Sequence, residues 1–250
     1  MSESEIFERL DPGTAPASIP RLRAVKEAYD AEVSPNVEMY LKTLVRLYDG
    51  ENPVAVSAIA KELSVTPPSA STMLKRLDSE GYVVHEGRHG AMPTDAGNRI
   101  GALTLRRQLL AERLLVDLLG ISWETAASEA CRLEHAISPV VEARLADFLR
   151  RPMTCPHGHP IPLEDGTLWR HERTGALSEL KANIEARVVS VPHDMPEMLK
   201  FLADIALRPG ATVSVVNRDR IVGLVTLLVD GVERVVSLPL ASTILMQRSR

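Results

Sequence analysis

At 250 residues, 45% hydrophobic and 25% charged, the chain has an ordinary globular composition and the length for two or three domains, each with its own core. A net charge of −4 excludes a generally basic nucleic-acid coat, though not a local positive patch that reads DNA. No apolar run approaches the roughly 20 residues of a membrane helix. The N-terminus MSESEIFERLDPG lacks the basic start and apolar stretch of a secretion signal, and two cysteines cannot build a disulfide framework, so a cytoplasmic chain with thiols free for metal is expected.

Residues 1–33, polar and carrying Pro12, Pro16 and Pro20, read as an arm ending in a short helix. VEMYLKTLVRLYD (37–49) has helical periodicity, with Val37, Tyr40, Leu41, Leu44, Val45 and Tyr48 on one side. VSAIAKEL (56–63) is a second short helix. In TPPSASTMLKRLDSEGYV, Thr66 is a fair N-cap, Pro67 suits the first helical position and Gly81 closes the end, with Met73, Leu74 and Leu77 as the buried stripe. YVVHEGRHGAMPT reads as two short strands about a glycine-bearing turn.

Helix, turn, helix and hairpin in this order form the pattern of a winged helix-turn-helix, in which the second helix reads base edges from the major groove. Thr66, Pro68, Ser69 and Thr72 are the candidate base readers, with Ser71 and Lys75 better placed for phosphates. A packed helical hairpin unrelated to DNA fits the same pattern, and charge does not decide between them, because Lys75, Arg76 and Arg88 are offset by Asp78, Glu80 and Glu86.

From Thr94 to Gly120 the spacing predicts one long helix, striped by Leu103, Leu110, Leu114 and Leu118 and widened by Leu109, Leu115 and Leu119. That much apolar surface suits a helical dimer interface or a fully buried helix. SWETAASEACRLEHAIS and PVVEARLADFLRRP complete a helical second domain. A proline-punctuated loop (153–166) and a linker through about residue 182 follow. The alternating β-branched runs of 185–238, with Asp230-Gly231 as a turn, predict a small β-barrel with one helix over 194–207.

Two clusters carry chemistry. Cys131, Glu134 and His135 sit at i, i+3 and i+4, hence on one helical face, offering soft, hard and borderline donors that each bind metal only when deprotonated. The bland reading is a packed cysteine beside a solvated Glu–His pair. Cys155-Pro-His157 puts a thiol and an imidazole two apart in a short loop, which suits chelation; His159, like His85, His89, His171 and His193, reads as a plain loop or surface residue. There is no nucleophile elbow, P-loop, H-E-x-x-H or dinucleotide fingerprint, so no enzyme is expected.

The runs EMYLKTLVRLYD, IAKELSVTPPSASTMLKRLDSEGYV, LLAERLLVDLLG, EACRLEHAIS and CPHGHPIP, in this order, resemble the diphtheria-toxin-repressor family of metal-dependent transcriptional regulators over roughly 34–250, in the three-domain form that includes manganese regulators. The resemblance implies a mainly α protein with a small all-β domain. Its parts would be an arm (1–33), a winged helix-turn-helix (34–98), a helical metal-binding and dimerisation domain (99–152), a ligand loop and linker (153–183), and an SH3-like barrel of the ferrous-transport-accessory kind (184–250). It implies a primary, activating site of Met39, Cys131, Glu134 and His135, and a secondary site of Glu112, Cys155, His157 and Asp194. It also implies a homodimer on double-stranded operator DNA, with no membrane and an unknown partner for the barrel. Two departures stand out: Gln108 replaces a histidine common in the family, and Ala127 replaces a histidine of the iron-type ancillary site, leaving the Cys155/His157 version. Soft donors favour iron(II), cobalt(II), nickel(II) or zinc(II), whereas the secondary set resembles manganese sensors; Mn2+ is slightly favoured over Fe2+ as the signal, with Zn2+, Co2+ and Ni2+ expected to bind in vitro. A metal-buffering interaction protein and a metallohydrolase are the other classes, separable by operator preference and by turnover.

Overall fold

The structure, a computed structural model, describes residues 33–193 and 195–248. The arm 1–32 and Asp194 therefore lie outside the described residues. Helix α1 (Pro35–Leu47) starts on a proline in its first turn, and α2 (Val56–Glu62) follows. Helix α3 (Pro67–Ser79) is capped as its sequence predicts, the Thr66 hydroxyl accepting from Ser69 N at 3.3 Å. Its buried stripe is Ala70, Leu74 and Leu77, and Met73 only flanks the core. Strands β1 (Val83–His85) and β2 (Ala91–Pro93) form the two-stranded antiparallel wing, and Val54 makes a single antiparallel bridge to Ala91 beside it. Their core joins Val37, Tyr40, Leu41 and Leu44 of α1 to Ile59, Leu74, Leu77 and Val83.

Helix α4 (Asp95–Arg113), capped by Thr94, does not run unbroken to Gly120. Residues Leu114–Leu118 form a π turn, closed by Leu119 N donating to Leu114 O at 3.1 Å, before the chain ends the helix at Gly120 in the left-handed region. The extra residue rotates the end of the predicted leucine stripe: Leu109, Leu110 and Leu115 are buried but Leu119 is 62% exposed. Helix α4 crosses α1 closely because Gly101 has no side chain; a Cβ there would run into the Leu41 carbonyl. Gly101→Ala is expected to lower stability by about 1–3 kcal/mol through overpacking, read by denaturant unfolding of the metal-free protein; a change within about 0.5 kcal/mol would refute the close crossing.

Helices α5 (Ala126–Leu133, continued by a 3-10 turn over Glu134–Ala136) and α6 (Pro139–Phe148) complete the helical layer. The C-terminal unit is a six-stranded antiparallel sheet in the order β3-β8-β4-β5-β6-β7. Its strands are β3 (Thr174–Ala176), β4 (Glu185–Ser190), β5 (Thr212–Asp219), β6 (Leu224–Val229), β7 (Val232–Ser237) and β8 (Leu245–Arg248). Helix α7 (Pro196–Asp204) is shorter than predicted, and α8 (Leu238–Thr243) is a further helix inside the predicted barrel domain. Strand β3 falls in the stretch read as linker and pairs with β8, so the sheet begins earlier in the chain than residue 184. Trp123, just before α5, is counted in the barrel's core with Leu199, Leu202 and Val215. Among the described residues no helix is long and apolar enough to cross a membrane.

Candidate metal centres

The first cluster forms where α1 meets α5. Cys131 Sγ lies 3.8 Å from Glu134 Oε1, and His135 Nε2 lies 3.2 Å from the same oxygen, as helical spacing requires. The contacts from α1 to this triplet run through two residues that sequence reasoning missed, Glu38 and Lys42. His135 Nδ1 pairs with Glu38 Oε2 at 2.5 Å, and the other Glu38 oxygen accepts from Arg107 at 2.6 Å. The Lys42 ammonium donates to Glu134 Oε1 at 2.6 Å and stands 3.7 Å from Cys131 Sγ. Met39 is half-buried on the same helix. Glu38 and Lys42 are an i, i+4 pair that a periodicity reading assigns to a solvated face; the docking of α5 and α4 is what buries them.

Burial raises the Glu134 carboxyl above the usual carboxylate range, with Lys42 pulling it back, and burial likewise raises the Cys131 thiol. Glu134 Oε2 is buried with no hydrogen-bond partner. A sulfur, a nitrogen and an under-satisfied buried carboxylate in one place fit a divalent transition metal, whose charge would favour the deprotonated donors.

The second cluster is more compact. Glu112 of α4, Cys155 and His157 are all buried and bring one donor atom each within 4.8 Å of one another. The loop takes this shape for local reasons: Gly158, in the left-handed region, closes a turn by donating to Cys155 O at 2.9 Å, and a Cβ on it would strike the Val189 carbonyl. Arg113, next to Glu112, clamps the loop by donating to the carbonyls of Thr154 (2.7 Å) and Cys155 (3.2 Å). His157 Nε2 donates to the Trp123 carbonyl at 2.9 Å, leaving Nδ1, 3.0 Å from Glu112 Oε2, as the ligating nitrogen. Glu112 Oε1 is buried without a hydrogen-bond partner, and burial together with the Glu112 charge pushes the Cys155 thiol well up.

The chain leading to Asp194 passes this centre. Val191 N donates to His157 O at 3.0 Å, and the His193 ring stacks on His157 with centroids 5.5 Å apart. His159 is not the plain loop residue its sequence indicated: it bonds Val191 O at 2.8 Å and packs edge-on against His193, and burial lowers its pKa to about 4. His193 too is buried, contrary to its reading as a loop or surface residue, and burial moves its pKa well below the ordinary value.

On α3, Thr66, Pro68, Ser69, Thr72 and Lys75 are exposed together along the helix start, while Ser71 is half-buried. The Thr72 hydroxyl donates back to Pro68 O at 3.0 Å.

Comparison with known proteins bears on all three regions. Residues 32–91 match the N-terminal DNA binding domain of iron dependent repressors, residues 94–163 their metal binding and dimerisation domain, and residues 176–248 the FeoA domain. The iron-dependent repressor IdeR of Mycobacterium tuberculosis is 32% identical over 217 residues, covering 82% of this chain and 93% of that protein. The diphtheria toxin repressor of Corynebacterium diphtheriae is 30% identical over 211 residues, covering 78% of this chain and 88% of that protein. Among solved structures, a manganese-dependent transcriptional repressor in complex with manganese superposes with a TM-score of 0.79 at 27% identity, covering 85% of this chain and all of that one. ScaR with bound Zn2+ gives 0.73 at 32% identity, covering 86% of this chain and all of that one. The chain belongs to the iron-dependent repressor family, a non-enzymatic family of divalent-metal-dependent, DNA-binding transcriptional repressors.

Proposed function

We propose that this chain represses metal-ion uptake genes as a homodimer, switched on when a divalent metal is held by Met39, Cys131, Glu134 and His135. The carrying observation is that α1 belongs to two structures at once: Leu41 and Leu44 pack the winged-helix core, while Glu38 and Lys42 reach the donor residues of α5. A bound metal supplies the charge that gathers these donors; the protein residues then fix the winged helix against the helical domain. In a dimer this restricts the two α3 helices to a spacing near one DNA turn, about 34 Å. A coupling of about 1–3 kcal/mol changes operator affinity about 5- to 150-fold, which is enough for a switch. Glu112, Cys155 and His157, with Asp194, form a secondary centre in this reading, one that tunes the response.

The division of the chain at 34, 99, 153 and 184 is part of the same proposal. Exposed Leu119, Val140 and Val141 on the helical domain support a partner subunit. Manganese is the favoured signal, in keeping with the manganese-dependent repressor this chain resembles; iron(II) is the second reading, favoured by a thiol in each cluster. Gel-shift titration on the upstream region of a metal-transporter gene with Mn2+, Fe2+ and Zn2+ in turn tests the reading: a metal-dependent shift is expected, and binding indifferent to all three would refute it. Within that assay Lys75→Ala should weaken all sequences alike, whereas Thr72 variants should change which bases are tolerated. Unchanged base preference across Thr72 variants would discredit α3 as the reader.

A further inference from the structure

The Lys42 ammonium lies among the donors proposed for the primary centre. Its side chain is 3% exposed, that of Glu134 is fully buried, and their 2.6 Å contact is a buried ion pair between two domains. Lys42 and Arg107 face Glu134 and Glu38, with His135 between the two carboxylates. A dication placed on Glu134 Oε1 and Cys131 Sγ meets a positive group already touching the first and 3.7 Å from the second. Like charges at that distance, out of water, repel strongly.

We propose that Lys42 sets the metal threshold of this centre, its ammonium serving as an internal cation that the incoming divalent ion must displace. The proposal rests on the primary-site reading above. The geometry also provides a destination for the displaced group. Glu38 lies one helical turn before Lys42, and its Oε2 is held by His135. His135 Nε2 lies on the Glu134 side and is the nitrogen that would face a metal, so Nδ1 can stay on Glu38. A carboxylate accepts more than one donor, and a Glu–Lys pair at i, i+4 in this order is a favourable one. The exchange would conserve pairing: Glu134 and His135 Nε2 would hold the metal, and Lys42 would pair with Glu38. With the lysine-out arrangement a minor state populated at about 0.1–10%, apparent affinity is lowered by that fraction.

The test is cobalt(II) titration of the full-length protein, followed by calorimetry and by thiolate-to-cobalt absorption. The binding phase lost in Cys131→Ser marks the primary centre. Lys42→Met, which keeps the length and removes the charge, is expected to tighten that phase at least about tenfold and to lower the metal-free melting temperature relative to the metal-loaded one. Lys42→Arg retains the charge and is expected to stay within about threefold of the parent, which also covers a poorly folding methionine variant. An unchanged or weakened phase in Lys42→Met, or an arginine variant that binds as tightly as the methionine one, overturns the threshold role alone. A titration unaltered by Cys131→Ser overturns the primary-site reading, and the threshold role with it.

Discussion

The His135→Ala protein is expected to lose metal-dependent operator binding while remaining a dimer. Its imidazole stands between Glu38 of α1 and Glu134 of the 3-10 turn after α5, so truncation removes a donor and the cross-domain contact together. Loss of the whole coupling costs about 5- to 150-fold in operator affinity at saturating metal, read by gel shift beside gel filtration. Cys131→Ala should behave likewise. The surfaces expected to dimerise, around Leu119, Val140 and Val141, do not involve either residue, so a monomer would signal general unfolding. A His135→Ala protein that still shifts operator only when metal is added would show that the switch lies elsewhere.

Trp123→Ala is expected to cost about 3–5 kcal/mol of stability, the range for truncating a large buried aromatic. The indole lies in the barrel's core, its Nε1 donates to Pro156 O at 3.2 Å, and the Arg208 guanidinium sits 5.0 Å above the ring. The Trp123 carbonyl also receives His157 Nε2, so movement of this segment disturbs the second cluster as well. Denaturant unfolding should show the loss, and Trp123→Phe should recover much of it. Unfolding that matches the parent would mean the barrel core closes without this residue.

Periodicity located most helices because apolar spacing directly reports the buried face, and Thr66 was legible as a cap because its hydroxyl does what N-caps do. The π turn at Leu114–Leu118 was not legible: its leucines fit an α stripe, and only packing chooses the wider turn. Strand β3 is three residues of Thr-Gly-Ala, too short and too plain to announce itself before β8 pairs with it. The helix α8 did carry a signal, Ser237 with Pro239 two residues on, the hydroxyl accepting from Leu240 N. At the sites, Cys131, Glu134 and His135 were legible because one helix brings them together, and Cys155 and His157 because one turn does. Glu38 and Lys42 were not, since their roles depend on a helix 90 or more residues away in the chain.

Helix α1 packs apolar side chains into the winged-helix core and against α4, while Glu38 and Lys42 pair with Arg107, His135 and Glu134 of the helical domain. Under the proposed switch, an ion held at the polar flank would act on the DNA-reading end through this one helix, with no loop to reorder and no strand to slip.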